Sequence, residues 1–514
     1  MARQGLEKAL TALRGTLKGS CHLLTEETGS ANVPSSGSKA SLGSSLLSKL
    51  QSKGKPSTLP QAAFFARPET AEDVQLCVRC AEEWDLSISV IGGGHTNHSS
   101  WGEMVLDLSN MITVSANAEK GCVTVAGGAQ LQDVVESASR VGLMVPLGTA
   151  PTVGVGLVLQ GGIGHLSRNC GLSIDVIDEA QVVTADGRLL TVSTKENSDL
   201  FWAIRGCGPN FGVVVSVKLR GRPLQRFKLT SAAFPFPEQL SAAIRLLRDY
   251  GTQSATLGND HSADAILYNR DGRLCLGVFD YDISGTSSTG SGTQVPGNFT
   301  KCDPGTVSRS LCESGWIGDV VLETRRVKYE NLFDYDPYLQ RQPLGVLLQE
   351  PHELGCFARA VFLPTPLEVC AADVLISRLR EAPTPNCFVH FQHAGGAVNR
   401  VPADATAFDA RRLEWSVVIS GCWPRDQEAT MKNRCEAWTL ETVRALLPHS
   451  VGLYPTDLGP EDAEFVPAAF KTSLGRLQEL KKEWDPKNRF SCALPLLQQP
   501  AENSAEAAEK PEQE

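Results

Sequence analysis

The sequence predicts an α+β protein with two folded domains. Its 514 residues exceed what one ordinary core holds, and helical and strand patterns alternate along the N-terminal part of the chain. A composition of 42% hydrophobic and 21% charged residues is typical of a globular protein. The formal net charge of -10, without clustered Lys and Arg, argues against nucleic-acid binding. The longest apolar runs are too short to predict a membrane-spanning helix.

The first ordered element is a predicted helix. Thr70 fits its N-cap, and Val74, Cys77, Val78 and Ala81 follow the helical i, i+3, i+4, i+7 spacing. The lone C-x-x-C pair of this helix therefore belongs to a buried face rather than to a metal or redox site.

A predicted strand over residues 87–91 then leads directly into Gly92, Gly93, Gly94 and His95. Further elements follow the same logic of alternation, capping and turn residues: strands at 105–108, 122–126 and 211–219, helices at 131–138 and from Asp199, and a hairpin over 180–192 that turns at Asp186-Gly187.

Three segments are too polar to form a core. Residues 29–55 and 284–306 are rich in Ser and Gly, and residues 500–514 alternate Ala and Glu. The 15 cysteines are scattered and odd in number, which favours reduced thiols in the cytoplasm over a secreted disulfide framework. The N-terminus lacks the apolar core of a secretory signal, and an organellar transit peptide within residues 1–20 is the alternative.

The segment from Gly148 to Gly164 contains six glycines and no charged residue. Backbone without side chains can approach a phosphate or a planar ring closely, and glycine permits turns that direct several N–H groups at one anion. The segment therefore predicts a pyrophosphate or ring site; tight packing at a strand crossing is the alternative.

Other cofactor and catalytic motifs are missing from the sequence. The glycines do not keep the G-x-G-x-x-G spacing of a dinucleotide fingerprint, and no G-K-[ST] follows them. The nine histidines form no H-E-x-x-H pair, and there is no G-x-S-x-G elbow. No metal site is predicted. His95, presented from a glycine turn, is a candidate for function, with a structural role as the alternative.

Taken together, several blocks resemble one family. They are GGGH at 92–95, VLDLSNM at 105–111, the run from Pro146 to Ile177, VVTADGR from Val182, DLFWAIRGCGPNFGVV from Asp199, HAGGAV from His393, ATAF from Ala405 with Arg411, and LKKEWDPKNRF from Leu480. The chain thus resembles the FAD-linked flavoproteins of the p-cresol methylhydroxylase (PCMH) and vanillyl-alcohol oxidase type, and among them the berberine-bridge-enzyme-like oxidases.

The resemblance implies an architecture. It consists of a PCMH-type FAD-binding domain of two α+β subdomains with an inserted antiparallel-sheet substrate domain. The implied boundaries are a flexible leader over 1–58, the FAD-binding domain over 59–222, the substrate domain over 223–450, a segment over 451–497 that returns to the FAD domain, and an acidic tail over 498–514.

The resemblance also implies the cofactor site. His95 occupies the position that carries FAD covalently, whereas Ala150 stands where many relatives have a second attachment through cysteine, so one covalent bond is expected. Val153 stands where members that react with oxygen carry a small residue. Ile91 and Asn97 depart from the family pattern. The full set of expected FAD contacts is His95, Gly92, Gly93, Gly94, Thr96, Gly148, Pro151, Thr152, Val153, Gly156, Gly161, Gly162, Gly164, His165, Val182 and Asn488.

A proton acceptor is needed when an alcohol is oxidised by hydride transfer to flavin. Family members often supply a tyrosine near the C-terminal segment, and Tyr454 fits that position; a core tyrosine with a bonded hydroxyl is the alternative. His98, His393 and Glu414 are further candidates for which a structural role is favoured.

The expected function is that of an FAD-dependent oxidoreductase acting on an alcohol, a sugar or an activated C–H group, with O2 as acceptor and H2O2 as product. The alternatives are a flavin dehydrogenase with another acceptor and a catalytically silent FAD-binding protein. The expected partners are a small-molecule substrate and O2, without nucleic acid or membrane.

Overall fold

The computed structural model describes residues 13, 16–25, 62–95, 102–283, 306–316, 323–335, 353–491 and 494–497. Thr96, Asn97 and His98 lie outside the described residues, as do most of the predicted leader over 1–58, residues 284–305 of the predicted insertion and the tail over 498–514. Within the predicted leader, residues 20–25 form a strand that pairs with residues 62–67. Within the described part of the chain, no helix has the length and apolar character needed to cross a membrane.

The fold is α+β, as predicted. The N-terminal part carries a four-stranded sheet of order β1-β2-β4-β3 and a five-stranded sheet of order β5-β6-β10-β8-β9. Their strands are β1 Ser20–Thr25, β2 Ala62–Arg67, β3 Ile88–Ile91, β4 Met104–Asp107, β5 Val114–Asn117, β6 Cys122–Ala126, β8 Ile177–Val183, β9 Leu189–Ser193 and β10 Val213–Arg220. A short pair, β7 Leu143–Met144 and β11 Arg222–Pro223, completes this part.

The helices of the N-terminal part pack against these sheets. They are α1 Ala71–Glu83, α2 Leu131–Arg140, the single turns α3 Val155–Val158 and α4 Ser167–Cys170, and α5 Ser198–Cys207. The predicted cap of α1 is confirmed, because Thr70 Oγ1 accepts the N–H of Asp73. Cys77 and Cys80 are buried on the inner face of α1, as the spacing predicted.

An eight-stranded sheet of order β15-β12-β14-β13-β17-β18-β16-β19 forms the second part. Its neighbours pair antiparallel. The strands are β12 Phe227–Pro235, β13 His261–Arg270, β14 Arg273–Asp282, β15 Glu323–Val327, β16 Leu354–Leu363, β17 Phe388–His393, β18 Trp415–Pro424 and β19 Gly452–Leu453. Its helices are α6 Leu240–Ala255, α7 Val307–Glu313, α8 Val369–Arg380, α9 Ala397–Arg400 and α10 Glu428–Leu446.

The two faces of this sheet have different neighbours. On one face the ring of Tyr250 in α6 packs against Phe391 and Trp415. Side chains alternate along a strand, so the adjacent residues Gln392 and Ser416 lie on the opposite face. There the Nε2 atom of Gln392 lies 3.5 Å from the Oγ1 atom of Thr149 in the glycine segment. The sheet is thus covered by helices on one face and by the glycine segment on the other.

The C-terminal segment lies against the N-terminal part. It contains α11 Val466–Phe470 and α12 Leu474–Trp484. The buried Lys481 ammonium donates to Asp485 and to the carbonyl of Asn210. The guanidinium of Arg489 donates to the carbonyls of Ala81 and Leu86. These charge-assisted bonds fix residues 481–489 to the loop before β10, to α1 and to the loop that follows α1.

Candidate functional site

The glycine turn at residues 92–94 follows β3 and touches the glycine segment through backbone atoms. A Cβ atom on Gly93 would lie 2.3 Å from the nitrogen of Gly154, and one on Gly154 would lie equally close to the nitrogen of Gly93. Only glycine fits on both sides of this contact. Gly93 and Gly94 form no hydrogen bond with another described residue. Their N–H groups are therefore available to an acceptor from outside the described chain.

His95 continues this turn, and its side chain is exposed. Its Nε2 atom lies 2.8 Å from the Oγ1 atom of Thr152. The backbone around Thr152 is held by the N-terminus of α2, because the N–H groups of Leu131 and Gln132 donate to the carbonyls of Val153 and Pro151. Tertiary structure thus brings together two predicted loops that lie 57 residues apart in sequence.

The second half of the glycine segment is different, because its N–H groups are already bonded. Those of Gly162 and Ile163 donate to the hydroxyl of Tyr454 at 2.8 and 3.2 Å, and that of Gly164 donates to Ser167 Oγ. Gly161 and Gly162 have φ values of 145° and 75°, in the region that favours glycine. These glycines serve tight packing, and the expected backbone donors at Gly162 and Gly164 are not available to a cofactor.

Two ionisable side chains reach the eight-stranded sheet: one directly follows the glycine segment, and the other lies in α4. The first is His165, which is 5% exposed and stacks on Tyr281 with ring centroids 4.3 Å apart. Its Nδ1 atom lies 3.0 Å from Oδ2 of Asp264 in β13. Its Nε2 atom is buried and has no hydrogen-bond partner among the described residues.

Two serine hydroxyls near this pair are also buried without a partner among the described residues. Ser262 lies two residues before Asp264 on the same face of β13, and Ser416 pairs with Gln392 across β17 and β18. Buried polar atoms in proteins are nearly always hydrogen-bonded, so these hydroxyls have capacity left for a water molecule or a polar ligand.

The second side chain is Arg168, whose contacts are complete. Its guanidinium donates to Glu414 Oε1 at 2.7 Å and to the carbonyls of His261, Leu257 and Ala394. His393 shares the same carboxylate through Nε2 at 2.9 Å, and its Nδ1 accepts the N–H of Ala263. Burial lowers the pKa of His393 and that of Arg168. His393 and Glu414 therefore have the structural role that was favoured for them.

Comparisons with known proteins complete these observations. Residues 62–193 match the family model described as "FAD binding domain", and residues 451–495 match "Berberine and berberine like". The chain thus contains an FAD-binding domain and a berberine-like segment, and it is an FAD-linked oxidoreductase that is similar to the berberine-bridge-like enzymes of the PCMH type. The first match contains the glycine turn, His95 and the whole glycine segment, and the second begins just before Tyr454.

Similar proteins agree with this family. An FAD-linked oxidoreductase of Dictyostelium discoideum is 26% identical over 82% of this chain and 86% of its own length. A carbohydrate oxidase of Microdochium nivale is also 26% identical, over 83% of this chain and 86% of its own length. The solved structure of a chitooligosaccharide oxidase matches 96% of this chain and 98% of its own, with a TM-score of 0.72 and 19% identity, and supports the same fold.

The site fits FAD, the cofactor of this family. The N–H groups of Gly93 and Gly94, which have no partner among the described residues, suit an anionic pyrophosphate, and Gly93 and Gly154 place no side chain beside them. Gly92, Gly94, Pro151 and Val153 belong to the same two loops. Thr96, which lies outside the described residues, stays a sequence prediction.

Four other expected FAD contacts lie outside the turn at residues 92–95 and the loop at residues 150–154. Gly148 is buried, with Leu157 Cδ2 only 2.2 Å from an added Cβ, and Gly156 lies in α3 with open space beside it. Val182 is a fully buried core residue in the middle of β8, paired with β9 and β10, and Asn488 is a turn residue with φ of 51° after α12. Val182 and Asn488 thus have clear structural contacts, and their assignment as FAD contacts stays a prediction.

Tyr454 does not suit a proton acceptor. It is 4% exposed, packs against Phe362 and Phe408, and its oxygen accepts two backbone N–H groups. Burial raises the pKa of this phenol well above its ordinary value. These contacts favour the alternative of a core tyrosine with a bonded hydroxyl, and the assignment of Tyr454 as base stays a prediction.

Asp264 is a site residue that the sequence motifs do not predict. The signal was present, because a lone carboxylate in the apolar run SADAILY is costly to bury without a partner. Its partner, His165, lies 99 residues away in the chain, so the pair is visible only in the fold.

Proposed function

We propose that this FAD-linked oxidoreductase oxidises a sugar or a similar polyhydroxylated alcohol, carries FAD through one covalent bond to His95, and passes electrons to O2. The observation that supports the substrate class is a set of buried polar atoms without a partner among the described residues: Nε2 of His165, and the hydroxyls of Ser262 and Ser416 on the sheet face that the glycine segment covers. A ligand with several hydroxyl groups satisfies such atoms, whereas an apolar ligand leaves them without partners at a cost in free energy.

The names of two similar proteins support the same class. A carbohydrate oxidase and a chitooligosaccharide oxidase act, by their names, on sugars, and they align with 83% and 96% of this chain. The word oxidase in both names also favours O2 as the acceptor, with H2O2 as the product.

The position of His95 supports the single covalent bond. The side chain is exposed at the glycine turn, and Thr152 Oγ1 lies within hydrogen-bond distance of its Nε2 atom. A hydrogen bond to one ring nitrogen orients an imidazole and selects its tautomer. Ala150, two residues before Thr152, offers only a methyl group, so a second bond has no nucleophile there.

Acid precipitation of the purified holoenzyme tests the attachment. Flavin absorbance and fluorescence should stay with the denatured polypeptide of the wild type and should leave it in His95→Ala. His449→Ala, which alters a histidine paired with Glu368 at the protein surface, is the matched control and should keep the flavin bound. Flavin that stays on the His95→Ala polypeptide after acid treatment would overturn the assignment.

Turnover assays test substrate and acceptor. Glucose, cellobiose, xylobiose and diacetylchitobiose should bleach the flavin absorbance anaerobically, and at least one should release H2O2 in air. A secondary alcohol without further hydroxyls, such as 2-butanol, is the comparison substrate and should be inactive. Bleaching without peroxide in air would indicate a dehydrogenase with another acceptor, and equal activity with 2-butanol would contradict the sugar class.

A further inference from the structure

The histidine that joins the glycine segment to the eight-stranded sheet has one ring nitrogen bonded and one left open. His165 Nδ1 contacts Asp264 Oδ2, while Nε2 has no hydrogen-bond partner among the described residues. We propose that His165, oriented by Asp264, accepts the hydroxyl proton of the substrate. The proposal rests on the proposed oxidation of an alcohol or sugar and assigns the proton acceptor of that reaction.

The protonation state of the pair follows from its contacts. Burial acts to raise the pKa of Asp264, but the hydrogen bond and charge of His165 and the N–H of His393 hold it below its ordinary value. Asp264 is therefore ionised at neutral pH and accepts a hydrogen bond from the N–H at Nδ1 of His165. A neutral imidazole with its proton on Nδ1 has its lone pair on Nε2.

The carboxylate of Asp264 is itself fixed. Its second oxygen, Oδ1, accepts the N–H of His393 at 2.9 Å, and its backbone is paired within the sheet between β14 and β17. The ring of His165 is further held by stacking on Tyr281 of β14. Orientation by a bonded carboxylate and a stacked ring places Nε2 in one direction, which is the arrangement that general-base catalysis requires.

There is space beside this ring. His165, Gly148, Leu147 and Phe333 line a cavity of about 20 Å³, which is room for about one water-sized group. Gly148 belongs to the glycine segment that leads to Thr152. On the other side of the ring, Asp264 shares its sheet face with Ser262, whose hydroxyl is unbonded among the described residues and suits a substrate hydroxyl.

Oxidation of an alcohol releases one hydride equivalent and one proton, and each has an acceptor in the proposed reaction. Oxidation of H–C–O–H to C=O breaks the C–H and O–H bonds and forms the second C–O bond. The hydrogen on carbon leaves with two electrons as a hydride equivalent that bound FAD accepts, and the hydroxyl proton goes to Nε2 of His165. The resulting imidazolium is stabilised by the adjacent Asp264 carboxylate, and the proton returns to solvent before the next turnover.

The other ionisable groups near the pair serve it less well. Both ring nitrogens of His393 are engaged, and the oxygen of Tyr454 accepts two backbone N–H groups. The groups that face the pair are His390 of β17, whose charge lowers the pKa of Asp264, Tyr281 of β14, and Tyr329, which lines the same cavity as His165. Burial, and with it the charge of Asp264, raises the pKa of Tyr250 in α6. The Arg168–Glu414 ion pair contacts Nε2 of His393 through the carboxylate of Glu414. Any pH dependence assigned to His165 must therefore be separated from that of His390.

Histidine-selective ¹⁵N NMR of the holoenzyme gives a test that does not depend on turnover. The signals of His165 are assigned by their loss in His165→Gln, and those of His390 by their loss in His390→Gln. At pH 7 the wild type should show a protonated Nδ1 and an unprotonated Nε2 at His165, and Asp264→Asn should remove this preference. A protonated Nε2 at His165 in the wild type would overturn the proposal.

Anaerobic stopped-flow reduction by cellobiose gives the kinetic test. His165→Gln should lower the reduction rate by about 10²- to 10⁴-fold, the usual range for loss of a general base, and should abolish the acidic limb of its pH profile. Asp264→Asn, which alters a positioning residue, should shift that limb while flavin stays bound. His449→Gln removes a surface histidine–carboxylate pair of similar geometry and should change neither the rate nor the profile.

Two outcomes separate this proposal from the proposed function. Dithionite-reduced His165→Gln should react with O2 at the wild-type rate, because that half-reaction does not use the substrate proton. A His165→Gln enzyme that is folded by circular dichroism and reduced by cellobiose within a few-fold of the wild type, with the same pH profile, would overturn the role of His165 alone. A wild type with bound FAD that no sugar reduces would overturn the substrate class, and the NMR result would still decide the tautomer.

Discussion

His165 and Arg168 lie three residues apart and both cross from the glycine segment to the eight-stranded sheet, yet their contacts differ. Arg168 meets a carboxylate and three carbonyls, and Glu414 is shared with His393. His165 meets one carboxylate oxygen through one nitrogen. A buried network with complete hydrogen bonding holds two parts of a protein together, whereas an incomplete one has capacity left for a ligand. We therefore assign a structural role to Arg168 and propose a catalytic role for His165.

The largest expected effect is on the complete network. Glu414→Gln leaves the buried guanidinium of Arg168 without its counter-charge, so we expect a loss of about 3–5 kcal/mol in stability. The measurement is the urea unfolding transition of the holoenzyme. Glu441→Gln is the control, because it breaks an exposed pair with Arg378 that is worth about 0–1 kcal/mol. Equal effects of the two substitutions would contradict the structural role of the Arg168 network.

A smaller effect is expected at Tyr454. Tyr454→Phe removes the oxygen that accepts the N–H groups of Gly162 and Ile163, and leaving buried donors unbonded costs about 1–3 kcal/mol. Tyr329→Phe is a matched comparison, since that buried hydroxyl bonds to the backbone of Val145. Thermal unfolding should show similar losses for both. If Tyr454→Phe instead removed the pH dependence of flavin reduction and Tyr329→Phe did not, Tyr454 rather than His165 would be the base.

The smallest expected effect is a change in acid stability. Because the pKa of Asp264 is held below its ordinary value of 3.8, its contribution to stability is present above that pH and is lost as pH falls through the lower folded-state value. Asp264→Asn should therefore flatten the decline in unfolding temperature between pH 5 and pH 3.

Asp280 on the neighbouring strand β14 supplies the contrasting case. Burial raises the pKa of Asp280 to about 6, so its contribution is present at low pH and is lost as pH rises through about 6. Asp280→Asn should remove a decline between pH 4 and pH 7 and leave the acid side unchanged. Identical pH profiles for the two variants would contradict the assigned charge states.

Local sequence patterns predict several of the helices and strands around the site. The strand before the glycine turn, the helix capped by Thr70 and the hairpin at Asp186-Gly187 all follow from alternation, periodicity and turn residues, and the structure contains each of them. The density of glycine correctly indicated close backbone approach. It did not distinguish Gly93, whose N–H has no partner among the described residues, from Gly162, whose N–H is bonded to Tyr454.

What the sequence by itself determined was the FAD-linked family, the turn that presents His95 and the glycines on which close contacts depend. Only the tertiary structure decided which polar atoms have capacity left. Tyr454 lies 292 residues from Gly162, and Asp264 lies 99 residues from His165. A hydrogen bond is completed by whatever group the fold brings within about 3 Å, and that group is set by long-range packing rather than by neighbours in the chain. For this reason the sequence alone does not show that Gly162 donates to Tyr454, or that Nε2 of His165 has no hydrogen-bond partner among the described residues.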